Sequence, residues 1–346
     1  MKNIIYLLLA LNVLFFGSCA TKMYYTTLDV LKPAQVTFPV NVNNVVVVNN
    51  AVVQPMNVGH YSTNLYGNRI PETLKFDSAG IFITAALRDG LISKSFFNRV
   101  ELSLVNQNTG KDHSVIGKLS PSRVNTLCKM YNADAVIAVN RISISDEVME
   151  FYNADTQEFY NDLDVKVKTD WSVFYPDKKL QSIQFLDSFL WQSSDYNRNR
   201  SRDKLPKRYD ALVDANILTG TNVAARMIPR WEKEDRVFFG SGNKLMMQAM
   251  DSVAKTNWKG AIELWKTAVN TPKSGKIKYQ AYHNIANAYE IIGDMDNAVE
   301  YAKKAVETYS QASYSDTNDG YILAESLGNL IKRKKEMEII KRQLGN

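Results

Sequence analysis

Three histidines, His60, His113 and His283, are the first places to look for acid–base or metal chemistry, because imidazole titrates near neutrality and is a common metal ligand. They stand far apart, and no HExxH or paired-cysteine spacing accompanies them, so the local sequence offers no two-ligand metal unit. A Ser, His and Asp set would have to be assembled from distant residues, since no G-x-S-x-G elbow occurs. His283 falls in a helical stretch where an exposed position is expected. A second candidate is the acidic, tyrosine-rich stretch from Glu147 to Asp164, with Glu150, Asp155, Glu158, Asp162 and Asp164 beside Tyr152 and Tyr160. Glycoside hydrolysis needs a defined carboxylate pair across a cleft; a charged stretch of this kind otherwise reads as a solvent-facing loop. Gly240-Ser241-Gly242-Asn243-Lys244 has the glycines and lysine of a phosphate loop without the full GxxxxGK[ST] spacing, and reads as a hinge. The expectation is a non-enzymatic protein with no catalytic residue, no metal ligand and no cofactor.

The elements that must position these residues belong to a folded, water-soluble chain: 346 residues, 45% hydrophobic and 23% charged, with a formal charge of +6. That charge is too dilute for nucleic acid, which calls for a concentrated basic stripe with aromatic platforms. The densest basic run, Lys332, Arg333, Lys334 and Lys335, reads as a solvated face of the last helix. Cys128 lies on an apolar stripe with Val124, Leu127 and Tyr131, the i, i+3, i+4 and i+7 spacing of a helix face. It is expected to be a buried packing thiol.

Residues 1–18 combine Lys2, an apolar run from Ile4 to Phe16, and the small pair Gly17 and Ser18 before Cys19. This is the order of an export signal, and the run is shorter than the roughly 20 residues that span a bilayer. Phe16-Gly17-Ser18-Cys19 resembles the lipobox of bacterial lipoproteins, with Phe16 where leucine is usual. The resemblance implies cleavage before Cys19, which carries diacylglycerol through a thioether and an acylated amine. Two or three chains make membrane attachment lasting, whereas one is marginal. With Ala20 following and no acidic cluster in Thr21, Lys22, Met23 and Tyr24, likeness to sorted lipoproteins implies the outer membrane of a Gram-negative envelope, with the body facing the periplasm. Loss of Cys19 to lipid leaves Cys128 without an intramolecular disulfide partner.

Residues 19–42, with Pro33, Pro39 and Asn41 and with Asn43 and Asn44 just beyond, read as a flexible tether. A mixed α/β domain is expected over 43–235. Val45-Val46-Val47-Val48 has no polar alternation and so predicts a central strand covered on both faces. A helix is predicted near Phe76 to Phe96, with Asp77 or Ser78 as N-cap, and a strand over Arg99 to Val105. Ser120 followed by Pro121 opens the helix carrying Cys128. Strands follow at Ala135 to Val139, at Val165 to Tyr175 with one wet face, and at Ile183 to Trp191. A helix from Arg208 to Ile228 follows, in which Ala211, Ala215, Ala224 and Ala225 allow close approach to the sheet. This order, with Asn132-Ala133-Asp134-Ala135-Val136-Ile137, is similar to the periplasmic domain of curli-secretion lipoproteins, TolB N-terminal domains and lipoprotein activators of penicillin-binding proteins. The resemblance implies an assembly module without an active site.

Self-comparison finds a repeat at 37 residues: Ala261, Trp265 and Ala268 recur as Ala298, Ala302 and Ala305. With Leu245 and Ala249, and then Tyr282, Ile285, Ala286 and Tyr289, these positions resemble the tetratricopeptide (TPR) repeat, whose usual length is 34. The extra residues fall near Ser274 and Gly275, and Pro272 matches the family's terminal proline. A third opening helix from Tyr321 is expected to cap the array. The fold expected is thus α+β: the mixed sheet domain followed by an all-α, TPR-like helical repeat domain over 240–344; a plain helical bundle is the alternative. The resemblance implies a concave face that binds an envelope protein or peptide, with the membrane engaged through lipid and no nucleic acid. An envelope hydrolase or glycan-binding protein and an export-pore subunit are the competing readings.

Overall fold

A computed structural model describes residues 22–176, 178–240, 242–270, 275–312 and 316–345. Cys19, Pro272 and Ser274 lie outside the described residues. In chain order the elements are β1 (Met23–Lys32), β2 (Asn44–Asn49), β3 (His60–Thr63), β4 (Arg69–Pro71), α1 (Ala79–Ser93), β5 (Arg99–Ser103), α2 (Pro121–Tyr131), β6 (Ala135–Asn153), β7 (Glu158–Tyr175) and β8 (Lys178–Asp195). They continue with α3 (Arg198–Asp203), α4 (Arg208–Met227), β9 (Arg230–Phe239), α5 (Lys244–Ala254), α6 (Trp258–Asn270), α7 (Gly275–Ile291), α8 (Met295–Ser310) and α9 (Thr317–Leu344). The chain divides into a sheet unit, residues 33–230 with 341–346, and a helical unit, residues 1–32 with 231–340. The fold class is therefore the expected one, a mixed sheet followed by a helical region.

The sheet unit holds seven strands in the order β4-β3-β6-β2-β5, with β7 pairing β6 and β8 pairing β7. β2 runs parallel to β5 and β6, while β6, β7 and β8 form an antiparallel meander. The valine run of β2 is central as its composition demands. Val45 and Val47 enter the core with α1 and α4, and Val46 and Val48 enter a second core with Leu127 and Cys128 of α2. The predicted N-cap of α2 forms, the Ser120 hydroxyl accepting from the Arg123 amide at 3.3 Å, and Asn132 closes the helix at φ +48°. Ser78 takes the N-cap position of α1 without a side-chain bond.

Three expectations need correction. Residues 23–32 of the expected tether form β1, which pairs with β9, and Val36, Phe38 and Val42 are buried in the sheet unit's core. Thr26, Thr27 and Val30 are β-branched and favour this extended pairing, whereas Pro33, Pro39 and Asn41 follow β1 rather than lie within it. The acidic stretch is no loop: Glu147 to Asn153 and Glu158 to Asp164 are opposing arms of one hairpin, in register from Val136↔Phe174 to Asn153↔Glu158 with a bulge at Asn140. The predicted strands were too short because charged residues on the outward face, such as Lys166 and Asp164, do not interrupt a ladder whose inward face, Leu163, Val165 and Val167, is buried. Finally, the small residues of α4 serve helix–helix contact as well as the sheet. A methyl built on Gly220 would lie 2.4 Å from the Ile83 carbonyl of α1, and one built on Gly90 would lie 2.7 Å from the Ala224 methyl.

In the helical unit, α5 packs on α6, α6 on α7 and α7 on α8. The repeat-spaced residues Ala261, Trp265, Ala268, Ala298, Ala302 and Ala305 are all buried in these contacts. Domain bounds drawn from the sequence placed residues 231–239 outside this unit, whereas β9 pairs with β1 and its last residues, Phe238 and Phe239, sit in the helical core.

Because the Gly220 clash is with backbone, Gly220→Ala is expected to destabilise the protein by about 1–3 kcal/mol in denaturant titration, while Gly67→Ala, with open space around the glycine but a left-handed φ, loses about 1 kcal/mol or less.

Candidate functional site

α7 is buried on nearly all sides, and its inner stripe is polar: Gln280, His283, Asn284, Asn287 and Glu290 recur at helical spacing and are each at most 6% exposed. Polar groups in such a place are costly unless hydrogen-bonded. Their partner is the chain's own β9. The Asn284 carboxamide donates to the Phe239 carbonyl at 2.7 Å and accepts from the Phe239 amide at 2.8 Å, so that one side chain completes both backbone bonds of one residue. Asn287 donates to the Val237 carbonyl at 2.8 Å, and His283 Nε2–H donates to the same oxygen at 2.9 Å. Glu290 receives a bidentate pair from Arg236, at 2.6 and 2.7 Å, and Arg236 also donates to Glu234. Gln280 closes the other end by donating to Asp319 of α9.

Side chains anchor the same segment. Phe238 stacks on Trp265 with centroids 5.9 Å apart and lies against Trp258, while Phe239 meets the His283 ring edge at 5.1 Å. Gly240 follows because the Tyr24 ring occupies its β-carbon position, 2.0 Å from where a methyl would stand. Asn243 then caps α5 by accepting from the Met246 amide. Gly240 thus follows β9 where ring packing requires a glycine, and Asn243 opens α5; Ser241 between them lies outside the described residues. β1 is held in turn by Arg333, which donates to the Leu31 carbonyl, and by Lys32, paired with Glu234 and Glu336.

Next to the clamped strand, a cavity of about 150 Å³ remains open between β9 and α9, lined by Val237, His283 and Asn287 on one side and Ile322, Glu325 and Asn329 on the other. A larger groove of about 580 Å³ runs between β1 and α5, with Tyr24, Tyr25, Met247 and Met250 among its lining.

The other residues singled out from sequence are not gathered here. His60 pairs with Asp146, which also takes the Arg208 guanidinium, and Arg208 donates to the Tyr61 carbonyl at 2.8 Å; this buried set ties β3 and β6 to the start of α4. His113 bonds the Ile142 carbonyl. His283, expected at the surface, is 2% exposed, because the face it shares with Asn284 and Asn287 reads β9. Five carboxylates of the acidic stretch have separate partners: Glu150 with Arg198, Glu147 with Thr63 and Arg69, Asp164 with Lys166, Asp162 with Gln192 and Glu158 with Tyr160. Hydrogen bonds from Thr63 and from Arg198 lower the pKa of Glu147 and Glu150, the direction opposite to that of a general acid. Cys128 is buried, and burial pushes its thiol pKa up. Of the basic run, Lys334 pairs with Asp296, Lys332 with Glu336 and Arg333 with the β1 backbone, so three of its four members bind within the unit rather than face solvent alone. Among the described residues no group of three His, Cys, Asp or Glu is placed to hold a metal, and no helix is long and apolar enough to cross a membrane.

A family model described as "Domain of unknown function (DUF8603)" matches residues 42–239, more than half of the chain. The chain belongs to this family. The DUF8603 match ends at Phe239, the clamped residue, and a second model, "Domain of unknown function (DUF6340)", matches residues 247–331. No curated protein matches. Among solved structures, the rare lipoprotein B from Shewanella oneidensis aligns over 62% of this chain and 98% of its own, at 10% identity and a TM-score of 0.26. A neuraminyllactose-binding hemagglutinin homolog from Helicobacter pylori aligns over 64% and 94%, at 10% identity and 0.25. The hypothetical protein CT253 from Chlamydia trachomatis aligns over 53% and 94%, at 14% and 0.22. Scores this low carry no argument about this DUF8603 protein's function.

The His283 ring provides a pH test. Burial lowers its pKa from 6.5 to about 4, so between these values the unfolded chain binds the proton and the folded chain does not. The stability contribution is complete above about pH 6.5 and is lost as pH falls toward 4, amounting to at most about 3 kcal/mol. Denaturant titrations at pH 7.5 and 4.5 are expected to differ by less in His283→Gln than in the wild type, an internal comparison that removes the carboxylate contributions common to both.

Proposed function

We propose that this chain is a lipid-anchored envelope protein, held at the outer membrane through Cys19 and facing the periplasm, that acts without catalysis as a protein–protein adaptor or assembly factor through TPR-like helices. The observation that carries the reading is the inner face of α7. Its amide side chains hold an extended backbone by its N–H and C=O groups, which is how a groove recognises a peptide of loosely specified sequence. Here β9 takes the central positions, and the open cavity toward Ile322, Glu325 and Asn329 is where a further segment can add. The 37-residue recurrence of Ala261, Trp265 and Ala268 in packed helix pairs supports the TPR-like reading. The partner is then an extended segment of another envelope protein, and tethering raises its effective concentration to roughly millimolar for a short linker.

The acidic stretch lends a hydrolase or glycan-binding reading no support, since Glu147, Glu150, Asp162 and Asp164 are each engaged by a different side chain along a hairpin. A pore reading fares no better with these strands: one face of β7 packs on helices, and the other carries Asp162, Asp164, Lys166 and Lys168, leaving no apolar band for lipid.

Two experiments on cells expressing the full chain separate the anchor from the groove. Growth in labelled palmitate is expected to label the wild type and leave Cys19→Ser unlabelled; label retained by Cys19→Ser rules out the attachment site. Crosslinking and recovery from membranes are expected to bring down a partner with the wild type and several-fold less with Glu325→Arg/Asn329→Arg, both exposed positions on α9. Equal recovery sinks the adaptor reading.

A further inference from the structure

Among the described residues, β8 is an edge strand of 18 residues that pairs only with β7. Its other backbone edge makes no ladder with any described strand, and a long, open edge is a template for another strand. Proteins usually blunt such edges with lysines, prolines, bulges or short length. From Leu180 to Ser194 this edge holds no lysine, arginine, glutamate, proline or glycine. Its only charge there, Asp187, points to the helix-covered face, where Arg226 and Asn222 take both carboxylate oxygens. The outward face reads Ser182, Gln184, Leu186, Ser188, Leu190, Gln192 and Ser194, uncharged throughout, with Leu186 63% and Leu190 55% exposed. On the covered face Ile183, Phe189 and Trp191 are only partly buried where the core ends at this edge.

The geometry points to β8 as a homodimer interface, in which two copies pair their β8 strands antiparallel about Ser188 to continue one sheet across both. The strand's own pattern selects this occupant. Centred on Ser188, the outward pairs are Ser188 with Ser188, Leu186 with Leu190, Gln184 with Gln192 and Ser182 with Ser194, so every residue of the outward face meets one of its own chemistry, while on the covered face Asp187, already held by Arg226 and Asn222, stands opposite Phe189 and Ile183 opposite Ser193. On the covered face Phe185 meets Trp191, extending the core across the dyad. The neighbouring centre, Asp187, sets two carboxylates directly opposite each other and is disfavoured. A different partner strand would have no reason to match this palindrome of side chains.

The test uses the full-length chain in membranes and after extraction in mild detergent, with single cysteines introduced at exposed β8 positions. Directly opposed residues in an antiparallel pair have Cα atoms about 4.5–5.5 Å apart, within disulfide range. Mild oxidation is therefore expected to convert Ser188→Cys to a covalent dimer, leave Gln184→Cys at the level of the parent chain, and crosslink Gln184→Cys/Gln192→Cys again. Adding Leu186→Lys/Leu190→Lys to Ser188→Cys sets lysines opposite one another and is expected to cut the crosslink about tenfold. Because both leucines are exposed, the melting transition of that variant should stay near wild type; far-UV circular dichroism checks the fold. A monomer by sedimentation, or equal crosslinking at Ser188→Cys and Gln184→Cys, overturns the proposal.

Discussion

A buried helix with a polar inner face can exist only if something supplies partners for that face. In this protein the something is a strand of the same chain. Asn284 stands at the centre: a carboxamide carries one acceptor and two donors, enough to replace a neighbouring strand for the Phe239 peptide groups. Had Phe239 been held by its ring alone, its N–H and C=O would be buried without partners, at about 1–3 kcal/mol each. Asn287, His283 and the Arg236–Glu290 pair extend the same logic along β9. The Arg236–Glu290 pair is buried on both sides, so removing either member alone would strand the other charge.

That arrangement gives the helical unit a specific recognition chemistry, directed at backbone more than at side chains. It also explains why Gly240 and β1 belong to this unit. The Tyr24 ring of β1 fills the space beside Gly240, directly after the clamped residue. In the sheet unit the comparable device is Asp146, which receives His60 and Arg208 in one buried cluster and thereby fixes the open end of β6 against α4. Both units use buried, fully engaged polar groups to set the placement of a strand, and apolar packing to fill the volume around it.

Much of the sheet unit was legible because its signals are local. The four valines of β2 could be shared by two cores only in a central strand, and Ser120-Pro121 and Asn132 mark both ends of α2 through backbone geometry that other residues do not favour. The repeat-spaced alanines and Trp265 announced packed helix pairs. What stayed hidden depends on partners remote in sequence. His283, Asn284, Asn287 and Glu290 have the spacing of a helix face, but polarity alone assigns such a face to water, and only the presence of β9 reverses it. β9 itself, Arg-Trp-Glu-Lys-Glu-Asp-Arg before Val-Phe-Phe, looks like a charged linker until Arg236 is seen to answer Glu290. β1 was obscured in the same way by the prolines that follow it. The length of the β6–β7 hairpin was missed because its outward residues are charged, while its inward alternation continues unbroken to Asn161.

Amide hydrogen exchange read residue by residue across β9 tests the clamp most directly. If side-chain amides of α7 hold this strand, the Phe239 amide exchanges only with unfolding of the helical unit, at a rate comparable to the interior of α7, and Asn284→Ala frees Phe239 before it frees the α7 helix. Rapid exchange of Val237 to Phe239 in the wild-type chain, at the rate of an exposed linker, would contradict the account.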